Sequence, residues 1–141
     1  MAIDSNNIAK VIIKNKEDKI LVLTRSDNGK KDLPGGHAHI NESFMMAAIR
    51  ETFEETQMIL TSCKEILSYA NKRMFISESF DLPKKEIILD KEENVSFEWI
   101  STSELYKIPQ NNATDSLVAA KAFLMDEERK ASIYTSPLWD K

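Results

Sequence analysis

Apolar and polar positions along the chain change period several times, and the changes outline its elements. Residues 8–14 carry Val11, Ile12 and Ile13 in a row and read as a strand. Asn15-Lys-Glu-Asp18 is a turn, and residues 20–24 are a second strand, so a hairpin is expected between the two. Arg25 opens a polar loop, Ser26 to Lys31, and the chain then leaves through Leu33 and Pro34 to Gly35 and Gly36. From residue 44 the period becomes helical. Ser43 is a good N-cap, and 44–56 holds neither Gly nor Pro. A loop and a strand at 65–69 follow, then a clearly alternating strand at 72–80. Asp81-Leu-Pro83 breaks that strand, 84–89 extends toward the next element, and 90–94 is an acidic loop. Residues 95–100, with Trp99, form a strand, and 101–105 start a short helix. An amphipathic helix at 115–130, with Leu117, Ala120, Phe123 and Leu124 on one side, is expected to cover the sheet's other face. Trp139 reads as a local packing or dimer contact.

The 44–56 helix separates its chemistry by angle. At about 100° per residue and with Glu51 at zero, Glu55 falls near 40° and Glu54 near −60°. Met45, Ile49, Thr52, Phe53 and Thr56 spread over roughly 100–200°. The expectation is one apolar face against a sheet and an opposite face of three carboxylates. Those carboxylates break local rules. Like charges at i,i+3 and i,i+4 repel by a few tenths of a kcal/mol. Glu54 and Glu55 also stand in the last turn, where the helix dipole disfavours an anion by about 0.3–1 kcal/mol. No Lys or Arg follows within that turn. A local conflict without visible compensation marks a functional site. Three carboxylates on a rigid element suit a hard divalent cation such as Mg²⁺ or Mn²⁺. The alternative for an arbitrary E-x-x-E-E is a solvated acidic face.

The wider spacing favours the functional reading. Residues 36–58 read G-x5-E-x7-R-E-T-x-E-E-x-Q-M, which resembles the Nudix box, G-x5-E-x7-R-E-U-x-E-E-x-G-U, where U is a bulky aliphatic residue. Gly36, Glu42, Arg50, Glu51, Glu54, Glu55 and Met58 match; Thr52 replaces an aliphatic residue and Gln57 the closing glycine. The resemblance extends over about 8–124. It implies an α/β Nudix fold, an α/β/α sandwich with a mixed β-sheet and the box as loop–helix–loop. It further implies a metal-dependent hydrolase that cleaves the diphosphate linkage of a nucleoside diphosphate attached to another moiety X, giving NMP and phosphorylated X. Under it, Glu51, Glu54, Glu55 and the Gly36 carbonyl hold Mg²⁺, with Mn²⁺ as a substitute. Glu51, Glu54, Arg50 and Glu93 are the catalytic candidates, Arg50 more to orient a glutamate than to bind substrate. Glu93, or failing it Glu92, is the further glutamate ahead of the tryptophan strand, as metal ligand or base. Glu42 steadies the box by pairing with Arg50. Arg25, and less so Lys30 and Lys31, are candidates for phosphate contact, with loop solvation as the alternative.

Composition narrows the remaining classes. The 141 residues suit one domain, 1–141, with 42% hydrophobic and 30% charged residues. A net charge of −4 gives no basic excess for general nucleic-acid binding. The single cysteine, Cys63, excludes an internal disulfide, fits a cytoplasmic setting and reads as half-buried and structural. Neither a signal peptide nor a membrane-spanning run is visible. His37-x-His39 in a loop without cysteine is weak as a zinc site. There is no G-x-x-x-x-G-K-[ST] loop for a P-loop NTPase. An isoprenoid diphosphate isomerase of the same fold would want its cysteine ahead of the box, whereas Cys63 follows it. A non-catalytic nucleotide-binding or regulatory module of this fold is the main alternative, but the box glutamates whose loss marks such modules are present. A homodimer is compatible with the resemblance.

Overall fold

The computed structural model describes residues 3–134, so Trp139 lies outside the described residues. Strand β1 (Asp4–Ile13) is the centre of the molecule. Ala9, Val11, Ile12 and Ile13 are fully buried, because the strand is covered on both faces. Its edges are taken by β4 (Gly35–His39), antiparallel, and β7 (Lys72–Ser77), parallel, and β6 (Lys64–Tyr69) completes a mixed four-stranded sheet. A second, antiparallel sheet has the order β3 (Lys31–Asp32), β2 (Ile20–Arg25), β9 (Asn94–Ile100). A small pair joins β5 (Ile59–Leu60) to β8 (Phe80–Asp81), and Phe80 stacks on Trp99 with ring centroids 5.7 Å apart.

The expected hairpin between the first two strands does not form. They share one bridge, Lys14 to Ile20, and then diverge into different sheets. Both edges of β1 are already occupied by strands that arrive later in the chain, so β2 pairs with β3 and β9 instead. The strand expected at 72–80 also divides. It leaves the sheet after Ser77, and Phe80–Asp81 turns to pair with β5. Residues 84–89 form no strand, since their neighbourhood serves the box helix α1 (Phe44–Thr56): Ile88 N–H donates to the Thr56 carbonyl at 3.1 Å and Asp90 N–H to that of Glu55 at 3.2 Å. These bonds satisfy carbonyls that a helix end leaves unpaired.

Two hydrophobic clusters flank the strands. One joins Val11, Ile13, Leu21, Leu23 and Phe75 to Ala47, Ala48 and Met58 on the α1 side. The other joins Ile12, Ile20, Val22 and Met74 to helix α2 (Thr102–Tyr106) through Leu105 and to helix α3 (Asp115–Tyr134) through Leu117, Ala120 and Leu124. This gives the helix–sheet–helix layering expected of the fold. Ser101 opens α2 with a reciprocal capping box to Glu104. Among the described residues, no helix is long and apolar enough to cross a membrane. Cys63 is half-buried, and burial pushes its thiol up to about 11, far from reactive thiolate character.

Helix α1 presents only part of the face that hydrophobicity predicts: Thr52 and Thr56 are buried and Ile49 packs against the core. Its buried residues are Ala47, Ala48, Thr52, Glu55 and Thr56, while Met45 and Phe53 are exposed. At the same 100° per residue, the buried face is rotated by about 80°, toward Glu51 and Glu55. The helix runs against β4, where a Cβ on Gly36 would stand 2.9 Å from the Glu51 carboxyl carbon. The buried side carries the small Ala47 and Ala48, which let a helix lie close to a sheet.

Candidate active site

A cleft of about 480 Å³ opens between the sheets, with Gly35, Gly36, Glu51 and Glu55 on the box side and Lys10, Arg25, Asp32 and Glu93 facing them. Each side chain is placed by its element. Ser43 caps α1 by accepting from Met46 N–H at 3.1 Å. Helical spacing then sets Glu51 and Glu55 one turn apart on the buried side. Gly35 has φ +129°, and a Cβ there would lie 2.1 Å from the Ala9 carbonyl oxygen, so the chain can start β4 against β1 only with glycine. Its N–H donates to Glu55 Oε1 at 2.8 Å. At the other end of α1, Gln57 takes the left-handed conformation, φ 64° and ψ 17°, that the closing glycine of the box would adopt.

Arg50 organises the box from behind the cleft. Its Nε and Nη2 donate to both Glu42 oxygens at 2.9 Å, and Nη2 also reaches the His37 carbonyl at 3.0 Å. Its Nη1 donates to Glu51 at 3.1 Å and to Glu54 at 3.1 and 3.2 Å. The fork on Glu42 holds that carboxyl down at about 2, well below the usual range. Glu42 Oε1 also accepts the His39 N–H at 2.9 Å, which ties the loop before α1 to the helix.

The two cleft glutamates are shifted the other way. Burial pushes the Glu55 carboxyl up to about 8, partly opposed by the charge of Lys10 and the Gly35 N–H. Burial also raises Glu51 against the pull of Arg50, and Glu54 and Glu93 add to the rise. Opposite them, burial alone would raise Asp32, but the charge and hydrogen bond of Lys10 and the bond from Thr114 outweigh it and hold Asp32 below its ordinary value.

The structure thus brings Gly36, Glu51, Glu55, Glu93 and Arg25 onto one cleft. Glu54, with a side chain 53% exposed, and Arg50 and Glu42 stand beside it rather than in its lining. Glu92 does not line the cleft either; its N–H donates to Asp90 Oδ1. Lys31 points to Thr24 Oγ1 at 2.7 Å and Glu98 at 3.5 Å, outside the cleft, and Lys30 does not line it. Arg25 faces the cleft with its Nε and Nη2 on Asp27 at 2.9 and 2.7 Å and Nη1 on Asp32 at 3.3 Å. His37 lines the cleft, whereas His39 lies 3.7 Å from Asp4.

The donor set fits a hard divalent cation by its chemistry: carboxylate oxygens and a glycine carbonyl, with no sulfur. Among the described residues, no three His, Cys, Asp or Glu side chains converge on one point. Glu51 and Glu54 turn to Arg50, and Glu55 turns to the Gly35 N–H. Burial raises the proton affinity of Glu51 and Glu55, so added positive charge beside either carboxylate would be favourable.

Sequence reasoning passed over Lys10, Asp32 and Thr114, which form the floor of the cleft. Lys10 is 8% exposed and Asp32 3%. Lys10 Nζ donates to Asp32 Oδ2 at 2.8 Å, and Thr114 Oγ1 donates to Asp32 Oδ1 at 2.7 Å. The signal was a lysine inside the apolar run Ile8-Ala-Lys-Val-Ile-Ile13, where a strand buried on both faces has no water for an ammonium.

Comparison with known proteins agrees with this layout. The NUDIX domain profile matches residues 5–122. No curated protein matches the sequence. Among solved structures, a MutT from Aliivibrio salmonicida or Vibrio cholerae superposes with a TM-score of 0.65 at 22% identity, covering 82% of this chain and 94% of that one. An Ap4A hydrolase of C. elegans superposes at 0.61 with 20% identity over 89% of this chain and 98% of its own. A NUDIX hydrolase of Nitrosomonas europaea superposes at 0.62 with 25% identity over 86% and 89%. With a domain match across most of its length, and Gly36, Glu51 and Glu55 of the box on one cleft, the chain belongs to the Nudix family.

Proposed function

We propose that this protein is a metal-dependent diphosphohydrolase that adds water across the P–O–P linkage of a nucleoside diphosphate bonded to a moiety X. The products are NMP and phosphorylated X, with the water's oxygen on one phosphorus and the bridging oxygen on the other. The observation that carries the reading is the meeting of Gly36, Glu51 and Glu55 with Arg25 and Glu93 on one cleft. Glu51, Glu54, Glu55 and the Gly36 carbonyl are the proposed holders of Mg²⁺, for which Mn²⁺ can substitute. That cation supplies charge neutralisation at the phosphate oxygens and lowers the pKa of an attacking water.

The protein's own groups do the rest. Arg25 presents a guanidinium to the phosphates, already aimed by Asp32 and Asp27. Arg50 fixes Glu51 and Glu54 from behind and binds no substrate itself. Glu93 stands at the cleft's exposed rim, with its carbonyl accepting from Ser26 N–H at 3.0 Å, and takes the proton of the attacking water at its carboxylate. The whole of 1–141 acts as one domain in this reading, on a small nucleotide substrate and in the cytoplasm.

The test is a hydrolysis panel with Mg²⁺ or Mn²⁺, run beside Glu54→Gln. Ap4A belongs in it because a structure named as an Ap4A hydrolase shares the fold; nucleoside triphosphates, nucleotide sugars and ADP-ribose complete it. Metal-dependent turnover lost in the variant is expected. No turnover of any member by the wild type, with metal bound, would overturn the reading.

A further inference from the structure

Lys10 has no assigned part in the chemistry above, yet its ammonium lies in the floor of the cleft. It makes three hydrogen bonds, to Asp32 Oδ2 at 2.8 Å, the Leu33 carbonyl at 3.1 Å and the Gly35 carbonyl at 3.3 Å. An ammonium has three N–H donors, so none is left for a ligand. Asp32 is equally full. Its Oδ1 accepts from Leu33 N–H at 2.8 Å and Thr114 Oγ1 at 2.7 Å, and its Oδ2 accepts from Lys10 and from Arg25 Nη1. Four bonds use the lone pairs of a carboxylate. A saturated pair in the floor of a binding cleft cannot read substrate without breaking a bond of its own. Its part is therefore geometric.

The geometry it fixes is the start of the box. The two carbonyls on Lys10 belong to the peptides before Pro34 and after Gly35. Between them lies the Pro34–Gly35 peptide. Its carbonyl accepts from Val11 N–H at 2.9 Å, and its N–H donates to Glu55 Oε1 at 2.8 Å. Lys10 also sits opposite Gly35 in the β1–β4 register, so its side chain and the backbone N–H of the next residue, Val11, hold the same turn. The next carbonyl along, that of Gly36, is a proposed cation donor, and a Gly36 Cβ would touch Glu51. We infer that Lys10 is a positioning residue, whose ammonium clamps the Leu33–Gly36 backbone so that the Gly35 N–H and the Gly36 carbonyl stand correctly toward Glu55 and Glu51. The inference rests on the proposed hydrolase reading for its kinetic consequence, but not for its structural one.

The experiment compares Lys10→Met with Lys10→Met/Asp32→Asn in the full chain. The single change leaves a buried Asp32 with only Arg25 to balance it, and stability falls; the double change removes both charges, and stability recovers. Both variants lack the clamp. The expected result is a loss of kcat of about 10–100-fold in each, as for other groups that orient ligand-bearing residues, with KM little changed. In the metal-free proteins, the Gly35 amide should lose hydrogen-exchange protection in both variants, and Mn²⁺ affinity by titration should weaken in both. Recovery of kcat and Gly35 protection in the double variant along with stability would overturn the inference, because the effect would then be the uncompensated charge. Unchanged Gly35 protection and Mn²⁺ affinity in the double variant would overturn it as well. If the wild type turns over nothing, the hydrolase reading fails, while the amide and Mn²⁺ measurements still decide the role of Lys10.

Discussion

Two threonines one turn apart on α1 should respond oppositely to the same substitution. Thr52 and Thr56 are both fully buried. Thr52 Oγ1 has no hydrogen-bond partner among the described residues. Thr56 Oγ1 donates to the Thr52 carbonyl at 2.6 Å and accepts from Met58 N–H at 3.2 Å. Valine keeps the shape and β-branching of threonine and has a similar helix propensity, so the hydroxyl is the main variable. Burying an unpaired hydroxyl costs about 1–3 kcal/mol on protein scales. Thr52→Val should therefore stabilise by about 1 kcal/mol or more, a rise in Tm of about 3–4 °C per kcal/mol for a chain of this size. Thr56→Val removes two bonds and leaves the Met58 N–H buried without its acceptor, a loss of about 1–3 kcal/mol. Thermal unfolding followed by circular dichroism, with urea midpoints at constant m, measures both. Shifts of the same sign in the two variants would refute the reasoning, since they would show that something other than hydroxyl pairing governs this face of the helix.

Gln57→Gly should also stabilise, by about 0.5–1 kcal/mol, because φ 64° costs a residue with a Cβ about 1–2 kcal/mol and glycine's larger unfolded-state entropy returns part of that; a lower urea midpoint would refute it. The pH dependence of the metal-free protein should carry the mark of Glu55. Its carboxyl titrates near 8 when folded, and near the ordinary 4.5 when unfolded, so the folded state binds more protons between those values. Its contribution is greatest below pH 4.5 and is lost as pH rises toward 8. In EDTA, the Tm of the wild type should fall relative to Glu55→Gln across that window, and parallel curves would show that Glu55 titrates normally.

The sequence pattern located most elements because they rest on local signals. Ser43 and the unbroken run to Thr56 placed α1 to the residue, and a short helix was expected from 101–105, where α2 lies. Pairing was less visible, because which strand occupies the edges of β1 depends on β4 and β7, distant in sequence. The helical face of α1 was misjudged for a related reason. A hydrophobic count rewards Met45 and Phe53, whereas the buried side of the helix carries the small Ala47 and Ala48. The box residues themselves were legible from their spacing, and the resemblance they carry implied the Glu42–Arg50 pair now seen at 2.9 Å. Lys10 and Asp32 were not, since their significance lies in meeting each other across 22 positions of sequence.

The rotation of α1 joins its stability to its chemistry. If the helix buried its larger apolar side chains, Glu51 and Glu55 would face water, with ordinary acidity and no cleft. By burying alanines it brings both acids under Gly36 and Gly35, where burial raises their proton affinity. The helix carries the cost of that placement in exposed Met45 and Phe53, in the unpaired Thr52 hydroxyl and in the left-handed Gln57. Three features offset it: the Arg50 fork on Glu42, the Gly35 N–H on Glu55, and the Ile88 and Asp90 N–H groups on the last carbonyls. All three act on backbone or on the acids, and none depends on a large apolar contact. A helix held in this way keeps its acids in place, with Arg50 on Glu51 and Glu54 and a raised proton affinity at Glu55 supplying the charge that the proposed cation would bring.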